Sequence, residues 1–270
     1  MGGTQPQPQP PNTTLTPITM TSSSETPSLL TPSILTHLTT LYTSPTRHYH
    51  SLSHIHTLLS LLTTHTPLFT DPPAIHASIW FHDAIYDSLA KPPANEVASA
   101  ELAVSLLADT VVSDRLERIR VMIEATAIHN LPSLADLKSE DPGHLRDAAM
   151  FLDMDLGILG AGEEEYAEYE RGVRREYDWV GEREWKVGRG EVLRGFLGRE
   201  RIYHSEVFGG LWEGRARGNI RGSLERLKRG EGEGQGVRGK EGGGEMEESN
   251  REVGGGKLEE RSGKDSSDLN

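Results

Sequence analysis

His82 and Asp83 are adjacent in the apolar segment 79–87, and both side chains are common ligands of divalent metal ions. His54 lies on an apolar segment upstream of this pair, and Asp155 lies on another segment downstream. Two imidazole nitrogens and two carboxylate oxygens suit a first-row divalent ion or Mg²⁺. Mixed ligands of this kind usually leave coordination positions open to water, as metal-dependent hydrolysis requires. The pattern therefore predicts a metal centre that could activate water.

Each of the four residues also has an ordinary structural interpretation. A histidine that faces a helical core is usually satisfied by a backbone carbonyl, and an aspartate near a helix end is usually a cap. The neighbouring residues favour the metal centre, because Trp80, Phe81, Ile158 and Leu159 would keep a pocket beside the ligands partly dry. The ordered set is thus stronger evidence than any one of its members.

Composition excludes several other kinds of site. The 270 residues include no cysteine, so a disulfide framework, a zinc–thiolate site and a thiol nucleophile are all excluded. The net charge of −13 disfavours nucleic acid and anionic membrane lipid as partners and is compatible with a small phosphorylated substrate. The sequence has neither a signal segment nor an apolar run of bilayer length, and a cytoplasmic location is expected.

Helices are the elements expected to position the candidate ligands, because apolar residues recur at steps of three and four through most of the chain. Between residues 28 and 42, for example, Leu30, Ile34, Leu38 and Leu41 mark one face. An all-α fold without internal repeats is predicted. The predicted helices cover residues 28–42, 49–64, 74–87, 95–107, 114–129 with Asp114 as the N-cap, 147–159, 163–179, 190–199 and 211–227.

The two ends of the chain are predicted not to join the helical core. Residues 1–25 are rich in Pro, Thr and Ser, and residues 230–270 are rich in Gly and Glu. Neither segment can bury enough apolar surface to offset the entropy of ordering. We therefore expect a disordered tail over 1–25, one helical metal-binding domain over 26–229, and a second disordered tail over 230–270.

Several motifs together resemble the HD-domain metal-dependent phosphohydrolases. The most similar branch carries Tyr-His-Asn-Leu-x-His, Phe-His-Asp-x-x-Tyr, Asn-Glu-x-x-Ser-Ala and Leu-Asp-x-Asp-Leu, which correspond here to residues 49–54, 81–86, 95–100 and 152–156. Ser51 stands where the family usually has Asn, which removes no proposed ligand. The resemblance spans about residues 29–227. It implies an all-helical HD-type bundle around a metal site that hydrolyses a phosphate ester or anhydride of a small nucleotide-like molecule.

The resemblance also implies individual roles. In cyclic-nucleotide phosphodiesterases, which have a similar Tyr-His-Asn-x-x-His helix, the second His binds metal and the first protonates the leaving oxygen. By that likeness His54 is the metal ligand and His50 the general acid, one helical turn apart on one face. Related Asp-Leu segments place the ligand directly before Leu, which favours Asp155 and leaves Asp153 as the alternative. The identity of the metal (Mn, Mg, Fe, Zn or Co) and the number of ions, one or two, stay open.

Five other residues have two interpretations each. Glu96 could orient a water molecule or bind a second ion, or it could be an ordinary acid at a helix N-terminus. His129 could contact substrate phosphate or a second ion, or it could stabilise a helix C-terminus. Arg47, Arg174 and Arg217 could bind phosphate oxygens, or they could form ordinary ion pairs.

The leading hypothesis from the sequence is a metal-dependent phosphohydrolase in which His50 protonates the departing oxygen. The alternatives are a non-catalytic nucleotide-sensing module and a helical interaction scaffold with buried histidines. Because pure binding would need no proton donor, the presence of His50 and Glu96 beside a complete ligand set favours the enzyme.

Overall fold

The computed structural model describes residues 28–229, which form α-helices joined by turns and short 3₁₀ segments, with no strand in that range. The all-α prediction is confirmed for these residues, and the two predicted tails lie outside them. The helices are α1 (Pro32–Tyr42), α2 (Leu52–His65), α3 (Pro72–Phe81), α4 (Ala94–Leu107), α5 (Ser113–Ala125), α6 (Pro142–Asp155), α7 (Glu163–Glu176), α8 (Glu182–Gly198) and α9 (Glu206–Arg229). The 3₁₀ segments are Thr66–Leu68 and Leu156–Gly160. Between residues 28 and 229, no helix is both long enough and apolar enough to cross a bilayer.

Three helices begin with a polar cap followed directly by proline. Thr31, Asp71 and Asp141 each accept a backbone N–H from the first turn, at 3.3, 3.3 and 2.7 Å. The following proline fits the first helical position, where its missing N–H would have had no intrahelical partner. The cap predicted at Asp114 is wrong, because α5 begins at Ser113 and the preceding residue makes no side-chain cap.

Three predicted helix limits near the site are also wrong. The helix expected to run to residue 87 ends at Phe81, so His82 and Asp83 lie in the turn that follows α3. Similarly, α5 ends at Ala125 and leaves His129 in a loop. His50 precedes the first residue of α2, so the prediction that it shares a helical face with His54 is wrong. The spacing of apolar residues indicates which positions are buried. Because a turn can also be buried, the apolar pattern continues beyond the end of the helix.

The core is centred on α3 and α6. Residues 77–81 of α3 and 147–154 of α6 are all buried, and both helices pack against α2. Phe81 and Phe151 are fully buried, and burial of one such side chain contributes roughly 1.5–3 kcal/mol. A rigid core therefore supports the helix ends from which His54, His82 and Asp155 project.

The 3₁₀ segment that follows α6 is fixed by α9. A Cβ atom added to Gly160 would lie 2.4 Å from the Cβ atom of Trp212, so only glycine permits this approach. Asn219 donates to the carbonyls of Leu159 and Ala161 at 2.8 and 3.1 Å. The chain that leaves Asp155 is therefore held in one path.

Candidate metal centre

His54, His82 and Asp155 come together at the ends of three helices: the first turn of α2, the residue after α3 and the last residue of α6. The Nε2 atoms of His54 and His82 are 3.3 Å apart. Asp155 Oδ1 is 3.0 Å from His54 Nε2 and 3.4 Å from His82 Nε2. Each residue offers one ligand atom within 4.8 Å of the others, so these three residues could hold a metal ion.

The separations and the hydrogen bonding of this cluster fit a cation. Ligand atoms held about 2.1 Å from one ion lie about 3.0–3.4 Å apart for angles of roughly 90–110° at the ion. His82 Nδ1 is 2.9 Å from the carbonyl oxygen of Ile79, to which it donates. Nε2 is then the nitrogen that faces the anionic oxygen of Asp155, and its lone pair becomes available to a cation when its proton is lost. Positive charge at their meeting point would stabilise this arrangement.

Asp83 lies at the edge of the same cluster. Its Oδ2 atom is 3.0 Å from His82 Nε2 and 4.0 Å from His54 Nε2. The side chain of His82 is 1% exposed, whereas those of Asp83 and Asp155 are 16% and 13% exposed. The imidazole of His82 is therefore covered by protein, whereas the two carboxylates are partly exposed. A role for Asp83 as a fourth ligand stays a prediction.

Electrostatics keep both carboxylates ionised. Burial raises the pKa of Asp83 and Asp155, but the facing imidazoles, that of His82 foremost, outweigh burial and hold both pKa values below their ordinary range. Burial lowers the pKa of His82, and the two carboxylates outweigh this effect and raise that pKa well above its usual value. Cation binding would therefore displace a proton from His82.

The structure places Asp155, and not Asp153, in the cluster. Asp153 is fully buried, and its two oxygens accept the backbone N–H groups of His204 and Ser205, each at 2.7 Å. Two residues apart on a helix, these side chains face different surroundings. Asp153 therefore joins α6 to the segment before α9, whereas Asp155 faces the histidines.

His129 contacts the second oxygen of Asp155. Its Nε2 atom lies 2.8 Å from Asp155 Oδ2, and the residue adopts the left-handed conformation with φ 48°. This conformation costs a non-glycine residue of order 1–3 kcal/mol, so neighbours must hold it. Arg199 and His204 do so by donating to the His129 carbonyl at 3.1 and 2.9 Å. The predicted contact of His129 with phosphate or a second ion stays a prediction.

Glu176 lies beside the site, and no role was predicted for it. Its side chain is 1% exposed, and Oε2 lies 2.6 Å from His50 Nδ1 and 3.1 Å from the Tyr86 hydroxyl, which donates to it. Oε1 accepts the backbone N–H groups of His48, Tyr49 and His50 at 2.7, 2.7 and 3.0 Å. Glu176 therefore fixes both the backbone and the ring of His50.

A sequence signal for Glu176 exists. Tyr166 and Val173 are buried on α7, the partly buried Tyr169 lies on the same stripe, and Glu176 continues this stripe at the next three-residue step. A carboxylate on an apolar stripe needs polar partners, because an unpaired buried charge is costly. The pattern indicates a buried acid but does not identify its partners, since these lie 90 to 128 residues earlier.

The His50 and Glu176 pair is strongly polarised. Burial lowers the pKa of His50, but the charges of Asp83 and Glu176 and the hydrogen bond to Glu176 together raise it above its usual value. Burial raises the pKa of Glu176, and the hydrogen bond and charge of His50 outweigh burial and lower it to about 2. The pair therefore favours a protonated imidazole beside an ionised carboxylate.

The three arginines predicted to bind phosphate all donate to backbone carbonyls. Arg47 donates to those of His50, Asp83 and Ala84 at 3.0, 2.6 and 2.7 Å, which ties the Asp83 turn to the segment that carries His50. Arg174 and Arg217 donate to carbonyls that follow α7 and end α8, respectively. A contact of Arg47 with substrate phosphate stays a prediction.

Two cavities meet at the cluster. The first, about 660 Å³, is lined by His50, Asp83, Glu96, His129 and Asp155 among others. One carboxylate oxygen of Glu96 is buried, with no hydrogen-bond partner among residues 28–229. The second cavity, about 620 Å³, is lined by His54 and again by Asp155.

Seven of the residues singled out from the sequence therefore lie in the cluster or line a cavity beside it: His50, His54, His82, Asp83, Glu96, His129 and Asp155. Arg47 supports the backbone between them, whereas Asp153, Arg174 and Arg217 hold other segments together. The described residues provide a set that could hold a cation, a polarised imidazole and space for a small molecule. No protein-family model matches the sequence, and no curated protein or solved structure is significantly similar to it.

Proposed function

We propose that this protein is a metal-dependent phosphohydrolase of the HD-domain type, which cleaves a phosphate ester or anhydride of a small nucleotide-like molecule. The observation that supports this best is the convergence of His54, His82 and Asp155 next to a cavity that also contains the anchored His50. A binding module has no need for an imidazole held by a buried carboxylate.

A role for each of these residues is proposed from the geometry. His54, His82 and Asp155 would hold the ion, with Asp83 as a further candidate. A divalent ion supplies charge that polarises a phosphoryl oxygen and lowers the pKa of water. Because Glu176 occupies Nδ1 of His50, Nε2 is the nitrogen left to give a proton to a departing oxygen. Glu96 lines the same cavity, and its carboxylate could accept a proton from water.

The first experiment is a screen of the purified protein with Mn²⁺, Mg²⁺, Zn²⁺, Fe²⁺ and Co²⁺ against phosphomonoesters, phosphodiesters and nucleotides. We expect stoichiometric metal by elemental analysis and product with at least one metal. Tight nucleotide binding without product under every metal would support the sensing module instead. Absence of stoichiometric metal, with unchanged melting after chelation, would support the interaction scaffold.

Replacing Glu176 with glutamine is expected to lower kcat about 100-fold, because it removes the negative charge that orients His50 and stabilises its protonated form. The shape of the side chain is kept. The alkaline limb of the pH profile should move to lower pH. The reason is that Glu176 helps to raise the pKa of His50, so without it the imidazole loses its proton earlier as pH rises.

Steady-state kinetics from pH 5 to 10 and metal analysis check this prediction. Glu170→Gln, on the same helix but paired with Arg226, is the matched control and should leave the profile in place. An unshifted alkaline limb in Glu176→Gln would contradict the role given to the pair.

A further inference from the structure

One face of α8 forms a wall of the 660 Å³ cavity that contains His50 and Asp155. The α8 residues on this wall recur at steps of three and four, as one helical face requires. They are Glu184, Trp185, Gly188, Arg189, Val192 and Phe196. This wall meets whatever part of a substrate extends beyond the phosphoryl group bound at the cluster.

The cavity walls are mainly aromatic and apolar. Tyr177 lies against Trp179 and Trp185, with ring centroids 6.3 and 5.9 Å apart, so the three rings form one continuous surface. Trp179 is 54% exposed and Val192 51% exposed, although both line the cavity. Apolar surface left open in this way indicates a ligand that covers it, and flat rings stack favourably on aromatic side chains.

The charges of the cavity limit how much phosphate it can accept. Among residues 28–229, its lining includes four carboxylates, those of Asp83, Glu96, Asp155 and Glu184, and two side chains of lysine or arginine, Lys91 and Arg189. The charge of the protonated His50 is balanced by its partner Glu176. Arg189 packs on the ring of Tyr169 and donates to its hydroxyl at 2.7 Å. With one divalent ion bound, the lining is close to neutral overall. It can then accept one phosphoryl group, but it would repel a chain of phosphates.

We infer that the substrate carries a single phosphoryl group on a large, flat, apolar leaving group, and that Trp185 and Val192 on α8 select this group. The inference rests on the proposed phosphohydrolase function and narrows its substrates to esters of one phosphate. Nucleoside triphosphates and small alkyl phosphates are then poor substrates.

Two exposed valines of α8 provide a matched test. Val192 lines the cavity, whereas Val187 is 54% exposed and does not. The rates to be measured are kcat/KM for 1-naphthyl phosphate, methyl phosphate and ATP in the wild type, Val192→Asp and Val187→Asp. We expect the wild type to prefer naphthyl phosphate to each of the others by at least about tenfold. Val192→Asp should lower the naphthyl-to-methyl ratio about tenfold, and Val187→Asp should leave it unchanged.

Equilibrium binding gives a second measurement that does not depend on turnover. The probe is 1-naphthylmethylphosphonate, which cannot be hydrolysed, followed through the fluorescence of Trp179 and Trp185. We expect Val192→Asp, but not Val187→Asp, to weaken binding about tenfold. Equal effects of the two variants, or a preference for ATP, would overturn the inference and leave the phosphohydrolase proposal standing. Selective phosphonate binding without turnover of any ester would overturn the phosphohydrolase proposal and support the assignment of the cavity.

Discussion

Replacing Asp155 with alanine is expected to remove the bound metal ion and to lower turnover at least about 1000-fold, equivalent to about 4 kcal/mol of transition-state stabilisation. Its Oδ1 atom lies within 3.4 Å of both ligand nitrogens, and its Oδ2 atom is held by His129. No other carboxylate among residues 28–229 is this close to both histidines. The substitution removes the anion that makes the cluster attractive to a cation.

Elemental analysis and kcat/KM at saturating metal measure this effect. Asp155→Asn retains the shape of the side chain and should show the same loss, which separates missing charge from altered packing. Asp114→Ala, at an exposed aspartate of α5, should retain metal and turnover. Stoichiometric metal in Asp155→Ala would contradict the assignment of the ion-binding set.

Replacing Asp153 with alanine should have the opposite result: metal is retained, and the free energy of unfolding falls by about 2–5 kcal/mol. The carboxylate is fully buried and accepts two backbone N–H groups at 2.7 Å, which the substitution would leave without a partner. Each unsatisfied buried donor costs about 1–3 kcal/mol.

Urea unfolding with metal present gives the stability of Asp153→Ala, and elemental analysis gives its metal content. Because Asp153 and Asp155 are only two positions apart in the motif, comparing the two substitutions distinguishes a structural carboxylate from a metal ligand. A stability loss below about 1 kcal/mol would contradict the structural role of Asp153. Loss of metal from the folded variant would indicate that Asp153 is itself a ligand.

Much of the fold could be predicted because helical periodicity depends only on which residues are buried. The limits of the helices could not, and the reason is clear at Ala84. This residue is fully buried although it lies in a turn, so the apolar pattern continues past the end of α3. His82 and Asp83 were thus expected within a helix and lie after it.

The candidate ligands could be selected from residue type and order, since His54, His82 and Asp155 carry the donor atoms themselves. The roles of side chains that act through the backbone could not be predicted in this way. Arg47 is bonded to three carbonyls, and Glu176 to three N–H groups far away in sequence. Any residue type presents these groups, so local sequence does not reveal them as partners.

The contact between His50 and Glu176 joins positions 126 residues apart, and this separation sets an order of assembly. As a nascent chain leaves the ribosome, the last of the three cation-binding residues emerges 21 positions before the carboxylate that holds His50. Under the proposed function, a partly synthesised chain could therefore capture an ion while His50 is still unrestrained. Metal capture and catalytic competence would then be acquired separately during biosynthesis.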